Sequence, residues 1–230
     1  MRGRHPEVVL FDLDGTLLDT APDFARVLNT LLAEQGFPAL PFPRIRATVS
    51  HGARALVRLA FGVADGDAGF EPLRTRLLAL YEEGLAVETT PFEGMRPLLG
   101  ELGHRGIAWG VVTNKPLHLA APLMAAMGFE PAAATLVCPD HVSRTKPDPE
   151  PLLLACSQLG CAPASAVYVG DHARDIEAGR RAGMPTVAAA WGYLADDEPV
   201  GAWGADVIAQ DVAHLASLLL DGSQITGATA

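Results

Sequence analysis

Residues 8–16 read Val-Val-Leu-Phe-Asp-Leu-Asp-Gly-Thr. Four consecutive apolar residues, without the alternation of a half-solvated strand, fit a strand buried on both faces, as inside a parallel sheet. Asp12 and Asp14 follow at once. Residues two apart at the end of an extended segment point the same way, so the two carboxylates share one side. In a parallel α/β sheet, ligands bind beyond the carboxyl ends of the strands, where this pair would stand. Carboxylates so close repel each other unless a cation or a shared proton compensates, which makes a divalent metal the natural third party. Gly15 permits the sharp turn out of the strand. A calcium loop and a plain surface turn compete as readings, although the glycine of a calcium loop follows a helix rather than a strand.

Outward from this stretch, short runs rich in Val, Ile and Ala recur at 107–113, 135–138, 166–169, 186–190 and 206–209. Between them, 97–105, 117–127, 149–159 and 176–182 have helical spacing of apolar positions, and Gly106, Gly128, Gly160 and Gly183 stand where such helices would stop. Strand alternating with helix predicts an α/β fold, a parallel sheet with helices on both faces. Residues 22–90 break the rhythm. No strand signal stands out there, while 23–35, 53–61 and 71–83 read as amphipathic helices, with loops at 36–43 and 62–69. The expected organisation is a core at 1–18 and 91–222, an all-helical cap at 19–90 over the sheet, and a frayed tail at 223–230.

The chain has 230 residues, enough for one or two folded units that need no metal or disulfide staple. Its 49% hydrophobic and 19% charged residues exclude a disordered chain. Lys and Arg number 17 against 27 Asp and Glu, a net charge of −10 that argues against nucleic acid as a partner. A few local cations can still gather a small anion in a pocket. Cys138, Cys156 and Cys161 are an odd set without CxxC spacing, expected to be reduced thiols in a reducing compartment. The apolar run at 8–11 is too short for a signal peptide and ends in acids, and no run approaches the ~18 residues of a membrane span. The expectation is a soluble, cytoplasmic protein with no membrane partner. None of the seven histidines has HxxxH or HExxH spacing, and P-loop, GxGxxG and GxSxG motifs are absent from the sequence.

Three further strand-end clusters stand out: Gly110-Val111-Val112-Thr113-Asn114-Lys115, Thr145-Lys146-Pro147-Asp148-Pro149 and Val169-Gly170-Asp171-His172-Ala173-Arg174-Asp175. Singly, Thr113 reads as a helix N-cap, Lys146 as a surface charge, and Asp171 and Asp175 as turn or cap residues. Together with the first stretch they set acids, a hydroxyl and a lysine at one edge of one sheet, and coincidence becomes a poor account.

DLDGT, VVTN, TKPDP and GDHARD resemble, in order and over essentially the whole chain, the four motifs of the haloacid dehalogenase (HAD) superfamily. The resemblance implies a Rossmann-like HAD core with a helical cap inserted between the first and second motifs. It makes Asp12 the nucleophile on phosphorus and Asp14 the acid that protonates the leaving alkoxide and then deprotonates the attacking water. It implies Mg²⁺ held by Asp12, Asp14 (through its main-chain carbonyl) and Asp171. Thr113 and Lys146 would grip the phosphoryl oxygens, with Asn114 a further donor, and Asp175 would orient the metal shell or Lys146. His172, where relatives often carry serine or an acid, is expected to be a partly exposed loop histidine rather than a ligand.

Substrate choice is expected in the insert. In Ser50-His51-Gly52-Ala53-Arg54, Arg54 could pair bidentately with a substrate carboxylate, with His51 beside it, or be a solvated helix charge paired with a nearby acid. Arg58 shares that face, and Arg44 and Arg46 read as surface charges. Within the superfamily the chain is similar to the phosphoglycolate phosphatase branch, and in particular to bacterial N-acetylmuramic acid 6-phosphate phosphatases. The stretches SHGARALV, FEGM, WGVVTNKP, CPDHVSRTKPDPEPLLLAC, DIEAG and WGY bear that likeness. It implies hydrolysis of a small carboxylate-bearing phosphomonoester. A sugar-phosphate mutase and a non-catalytic binding protein on the same fold stay open as alternatives, as does monomer against homodimer.

Overall fold

The computed structural model describes residues 5–194, 199–221 and 225. The tail expected to fray, 223–230, lies outside these apart from residue 225. The chain divides into two compact units, one of Met1–Leu18 with Pro91–Ala230 and one of Asp19–Thr90.

The first unit is an α/β layer structure. Strand β1 (Val8–Phe11) is followed by the two-residue β2 (Leu18–Asp19), which pairs with β3 (Thr90–Pro91) in a small separate sheet. The main sheet adds β4 (Ala108–Val112), β5 (Leu136–Val137), β6 (Ala166–Gly170), β7 (Thr186–Ala189) and β8 (Val207–Ala209) in the order β5-β4-β1-β6-β7-β8. All its pairings are parallel. Every predicted run became one of these six strands. The continuous apolar character has the expected cause, for β1, β6 and β7 are buried at every position. Val8 and Leu10 face one layer, with Val112, Tyr168 and residues of two later helices. Phe11 meets Trp109 edge-on at 6.4 Å, and Trp109 meets Phe129 at 5.5 Å.

The helices of the second unit come first in the chain: α1 (Ala21–Glu34), α2 (Phe42–Arg46), α3 (Gly52–Phe61) and α4 (Phe70–Glu83). The first unit supplies α5 (Met95–His104), α6 (Leu117–Met127), α7 (Glu150–Leu159), α8 (Ala173–Ala182) and α9 (Val212–Leu220). Helices α7 and α8 pack together on the sheet, as do α5 and α9. Two helices were not anticipated. The short α2 overlaps the loop expected at 36–43. Helix α9 is largely apolar and is opened by the Asp211 side chain, which accepts a hydrogen bond from the His214 N–H at 2.7 Å.

In the second unit α1 packs on α4, with Phe24 and Tyr81 stacked at 4.1 Å. Asp23, buried in the first turn of α1, accepts hydrogen bonds from Arg26, from the main-chain N–H groups of Glu88 and Thr89, and from the Thr89 hydroxyl at 2.7 Å. One carboxylate thus ties the start of the helical segment to its end.

Candidate active site

Register places the site. Phe11 is level with Val111 on one side and Val169 on the other. Asp12, Thr113 and Asp171 therefore leave β1, β4 and β6 at the same edge, where successive crossovers run to opposite sides of β1.

Lys146 is the hub. Its Nζ donates to Asp12 Oδ1 at 2.7 Å, lies 2.7 Å from Asp175 Oδ1, and also reaches the Val112 carbonyl at 3.0 Å and the Tyr168 hydroxyl at 2.8 Å. Tyr168 in turn donates to the Val112 carbonyl at 2.9 Å. Burial alone would lower the Lys146 ammonium, but Asp12 and Asp175 outweigh it and hold its pKa above the usual lysine range. The Asn114 amide and carbonyl clasp the Lys146 backbone from both sides, at 3.0 and 3.1 Å. Thr113 is buried, and its Oγ1 accepts from the Lys115 N–H at 3.1 Å, which leaves the hydroxyl proton to donate elsewhere. It does not act as a helix cap, since Pro116 opens α6.

Asp171 is buried, with Oδ1 accepting from the Thr16 hydroxyl at 3.0 Å and Oδ2 from the Tyr193 N–H at 2.9 Å. The backbone around it is fitted closely. Gly15 has φ +87°, and a Cβ there would stand 2.1 Å from Asp171 Oδ2. His172 is the N-cap of α8, its Nδ1 accepting from the Arg174 N–H at 3.2 Å. It stands, as expected, half-buried in the loop before α8 and outside the acidic cluster, and it serves there as the helix cap.

Asp12, Asp171 and Asp175 each bring an oxygen within 4.8 Å of the others. Burial pushes the Asp12 carboxyl up to about 6, with the Lys146 charge pulling against it and Asp175 and Asp14 adding repulsion. Burial also lifts Asp171 to about 7, helped by Asp12 and Asp175. Asp175 Oδ2 is buried and has no hydrogen-bond partner. Hard oxygen donors, crowded and partly unsatisfied, suit a small divalent cation. Charge agrees: once all four carboxylates (Asp12, Asp14, Asp171, Asp175) are ionised, the two ammonium groups (Lys115, Lys146) leave 2 − 4 = −2 among these side chains, a field that would repel an anion until a cation offsets it.

Asp14 is bonded differently from Asp12. Its Oδ1 accepts from Lys115 Nζ at 2.9 Å. Lys115, Tyr168 and Thr16 belong to this cluster without a role expected from the sequence. Tyr168 sits inside an apolar strand, where the pattern registers only a ring, and Lys115 follows Thr113 and Asn114 in a turn where a lysine ordinarily faces solvent.

Of the residues singled out in the insert, His51 closes the one-turn helix Val49–His51 and Arg54 lies in the first turn of α3. Arg54 is ion-paired with Asp65 at 3.2 Å and Glu71 at 3.0 Å, and Arg58 with Asp65 at 2.6 Å. The solvated, acid-paired reading describes Arg54 in this structure.

The profile of haloacid dehalogenase-like hydrolases matches residues 9–189. The chain belongs to that family. It is an enzyme, a hydrolase with the family's parallel-sheet core and an inserted helical unit. It is 47% identical over 219 residues to an N-acetylmuramic acid 6-phosphate phosphatase of Pseudomonas aeruginosa, covering 95% of this chain and 97% of that protein. A phosphoglycolate phosphatase of Xanthomonas campestris is 44% identical over 92% of this chain and 96% of its own length. Among solved structures, one described as a predicted phosphoglycolate phosphatase from Haemophilus somnus superposes with a TM-score of 0.81 at 25% identity, over 95% of this chain and 98% of that one. No helix among the described residues is long and apolar enough to cross a membrane.

Proposed function

We propose that this phosphatase hydrolyses a small carboxylate-bearing phosphomonoester through an acyl phosphate on Asp12, with Mg²⁺ as cofactor. The observation that carries the reading is the convergence on Asp12: a half-buried carboxylate at a strand end, held by Lys146, inside an acidic cluster suited to a divalent ion. Asp12, Asp171 and the Asp14 main chain would hold the metal, and Asp175 would steady Lys146. Bound there, Mg²⁺ offsets the repulsion between a carboxylate nucleophile and a phosphate dianion.

The protein's own groups do the rest. Asp12 attacks phosphorus while Lys146 keeps its carboxylate oriented. Thr113 and Lys146 donate to phosphoryl oxygens, and the Asn114 main chain is a further donor. Asp14, on the same side as Asp12, gives its proton to the leaving oxygen and later takes one from the water that attacks the acyl phosphate. Residues 19–90 form the cap, where Arg54 and His51 would meet the carboxylate-bearing part of the substrate. Engaging it would require Arg54 to exchange Asp65 and Glu71 for the ligand.

The names of the relatives favour N-acetylmuramic acid 6-phosphate or 2-phosphoglycolate, and three free cysteines suit a cytoplasmic setting. Parallel assays with both compounds and several sugar phosphates rank the substrates by kcat/KM. Release of inorganic phosphate is expected; an isomerised sugar phosphate would indicate the mutase instead. Borohydride added during turnover should convert the acyl phosphate at residue 12 to homoserine, visible by peptide mass spectrometry. Asp12→Asn should be folded yet nearly inactive, and normal turnover by that variant would remove the proposed nucleophile.

A further inference from the structure

We propose that Lys115 is a positioning residue for the reaction, holding Oδ1 of Asp14 so that proton exchange with the leaving-group oxygen takes place at Oδ2. The inference rests on the reading of Asp14 as acid and base.

A lysine ordinarily keeps its ammonium in water. Lys115 does not: its side chain is 4% exposed, and Nζ lies 2.9 Å from Asp14 Oδ1. Ordering and burying so long a side chain costs rotamer entropy and solvation, which a partner must offset. Its backbone is pinned as well. The Lys115 N–H donates to Thr113 Oγ1, while the preceding residue, Asn114, is clasped to the Lys146 backbone. The ammonium is therefore delivered to one place by a rigid turn after β4. It is not needed for the nucleophile, because Lys146 already serves Asp12. Each acid of the DxD pair has its own lysine.

A terminal carboxyl torsion is broad and nearly two-fold, so without the grip on Oδ1 Asp14 would be less constrained in which oxygen it presents to the substrate. Proton transfer requires one oxygen at about 2.6–3.2 Å from its partner. With Lys115 on Oδ1, the exchanging proton resides on Oδ2. In the first step the Oδ2–H bond breaks and the proton passes to the ester oxygen, as the P–O bond to the leaving group breaks and the bond from Asp12 to phosphorus forms. In the second step a water oxygen attacks phosphorus, the Asp12–phosphorus bond breaks, and the water proton returns to Oδ2. The ammonium keeps its three protons throughout.

The test compares an alkyl phosphate, whose alkoxide must be protonated, with 4-nitrophenyl phosphate, whose phenolate leaves without a proton. Lys115→Met should lower kcat/KM about 30- to 100-fold on the alkyl ester but no more than about 5-fold on the nitrophenyl ester. The inhibition constant of inorganic phosphate should stay within about twofold. Lys115→Arg should recover most of the loss, and Lys115→Met with Asp14→Asn should be no worse than Asp14→Asn alone. Should the methionine variant not fold, Lys115→Gln takes its place in the same comparison. Equal losses on both esters, additive effects in the double variant, or a large rise in the phosphate inhibition constant would each overturn the proposal while leaving Asp14 as the acid. An Asp14→Asn enzyme that does not discriminate between the esters would instead overturn the role of Asp14, and the proposal with it.

Discussion

Lys146 sets the consequences of losing a single side chain. Its ammonium stands between Asp12 and Asp175, both at 2.7 Å. Removing one partner of a buried ion pair leaves uncompensated charge and costs about 3–5 kcal/mol. Lys146→Met should therefore destabilise the protein as well as abolish turnover. The penalty has a pH sign. Asp12 already titrates at about 6, so near pH 5 it takes up a proton and part of the repulsion disappears. Urea titrations should find the variant further below wild type at pH 8 than at pH 5, and an equal deficit at both would contradict the arrangement. Tyr168 would remain protonated throughout, since burial and then Asp175 and Asp12 raise its hydroxyl well above the usual tyrosine range.

Among the elements, the segment from α1 to α4 is closed by Asp23. Burial pushes this carboxyl up, but the hydrogen bonds from Arg26, Thr89 and Glu88 outweigh it and hold its pKa below the ordinary aspartate value. A depressed pKa contributes stability above the unfolded value near 3.8, lost as pH falls through the folded one. Asp23→Asn keeps the shape but offers one acceptor oxygen where four donors converge, so at neutral pH it should cost about 1–3 kcal/mol. Chemical unfolding should detect that deficit at pH 7 and a smaller one at pH 3. This clasp was hidden from the sequence because its halves, Asp23 and Thr89, lie 66 residues apart. The strands were legible for the opposite reason: β1, β6 and β7 are buried throughout and β4 at all but its first residue, so each shows as a short, mostly apolar run. Helix α9 is apolar over most of its length and gave no comparable period. The DxD pair was legible because its spacing alone puts both acids on one side. The partners of Arg54 were not, since Asp65 lies within the loop after α3 and Glu71 beyond it in α4, where helical spacing relates neither to Arg54.

At the scale of the whole molecule, the acidic cluster links stability to pH and to metal. Burial, with repulsion from neighbouring carboxylates, lifts Asp12 to about 6 and Asp171 to about 7 from an ordinary 3.8. Across that window the folded chain holds protons that the unfolded chain has released, so in the absence of metal stability falls as pH rises from about 4 to about 7. A divalent cation that binds only the folded chain works in the opposite direction, and more strongly once the carboxylates are ionised. At a free metal concentration one hundred times its Kd it adds about 2.7 kcal/mol. For a chain of this size that corresponds to roughly 5–10 °C in Tm. With EDTA, the unfolding transition of the core should therefore move downward between pH 5 and pH 8. Adding Mg²⁺ should raise it by several degrees at pH 8 and by much less at pH 5. Asp171→Asn removes an ionisable member of the cluster without altering its shape, so it should lessen the fall in EDTA and nearly abolish the response to Mg²⁺. Thermal melts across this pH series check both: a Mg²⁺ response as large at pH 5 as at pH 8, or one that survives Asp171→Asn, would place the ion elsewhere.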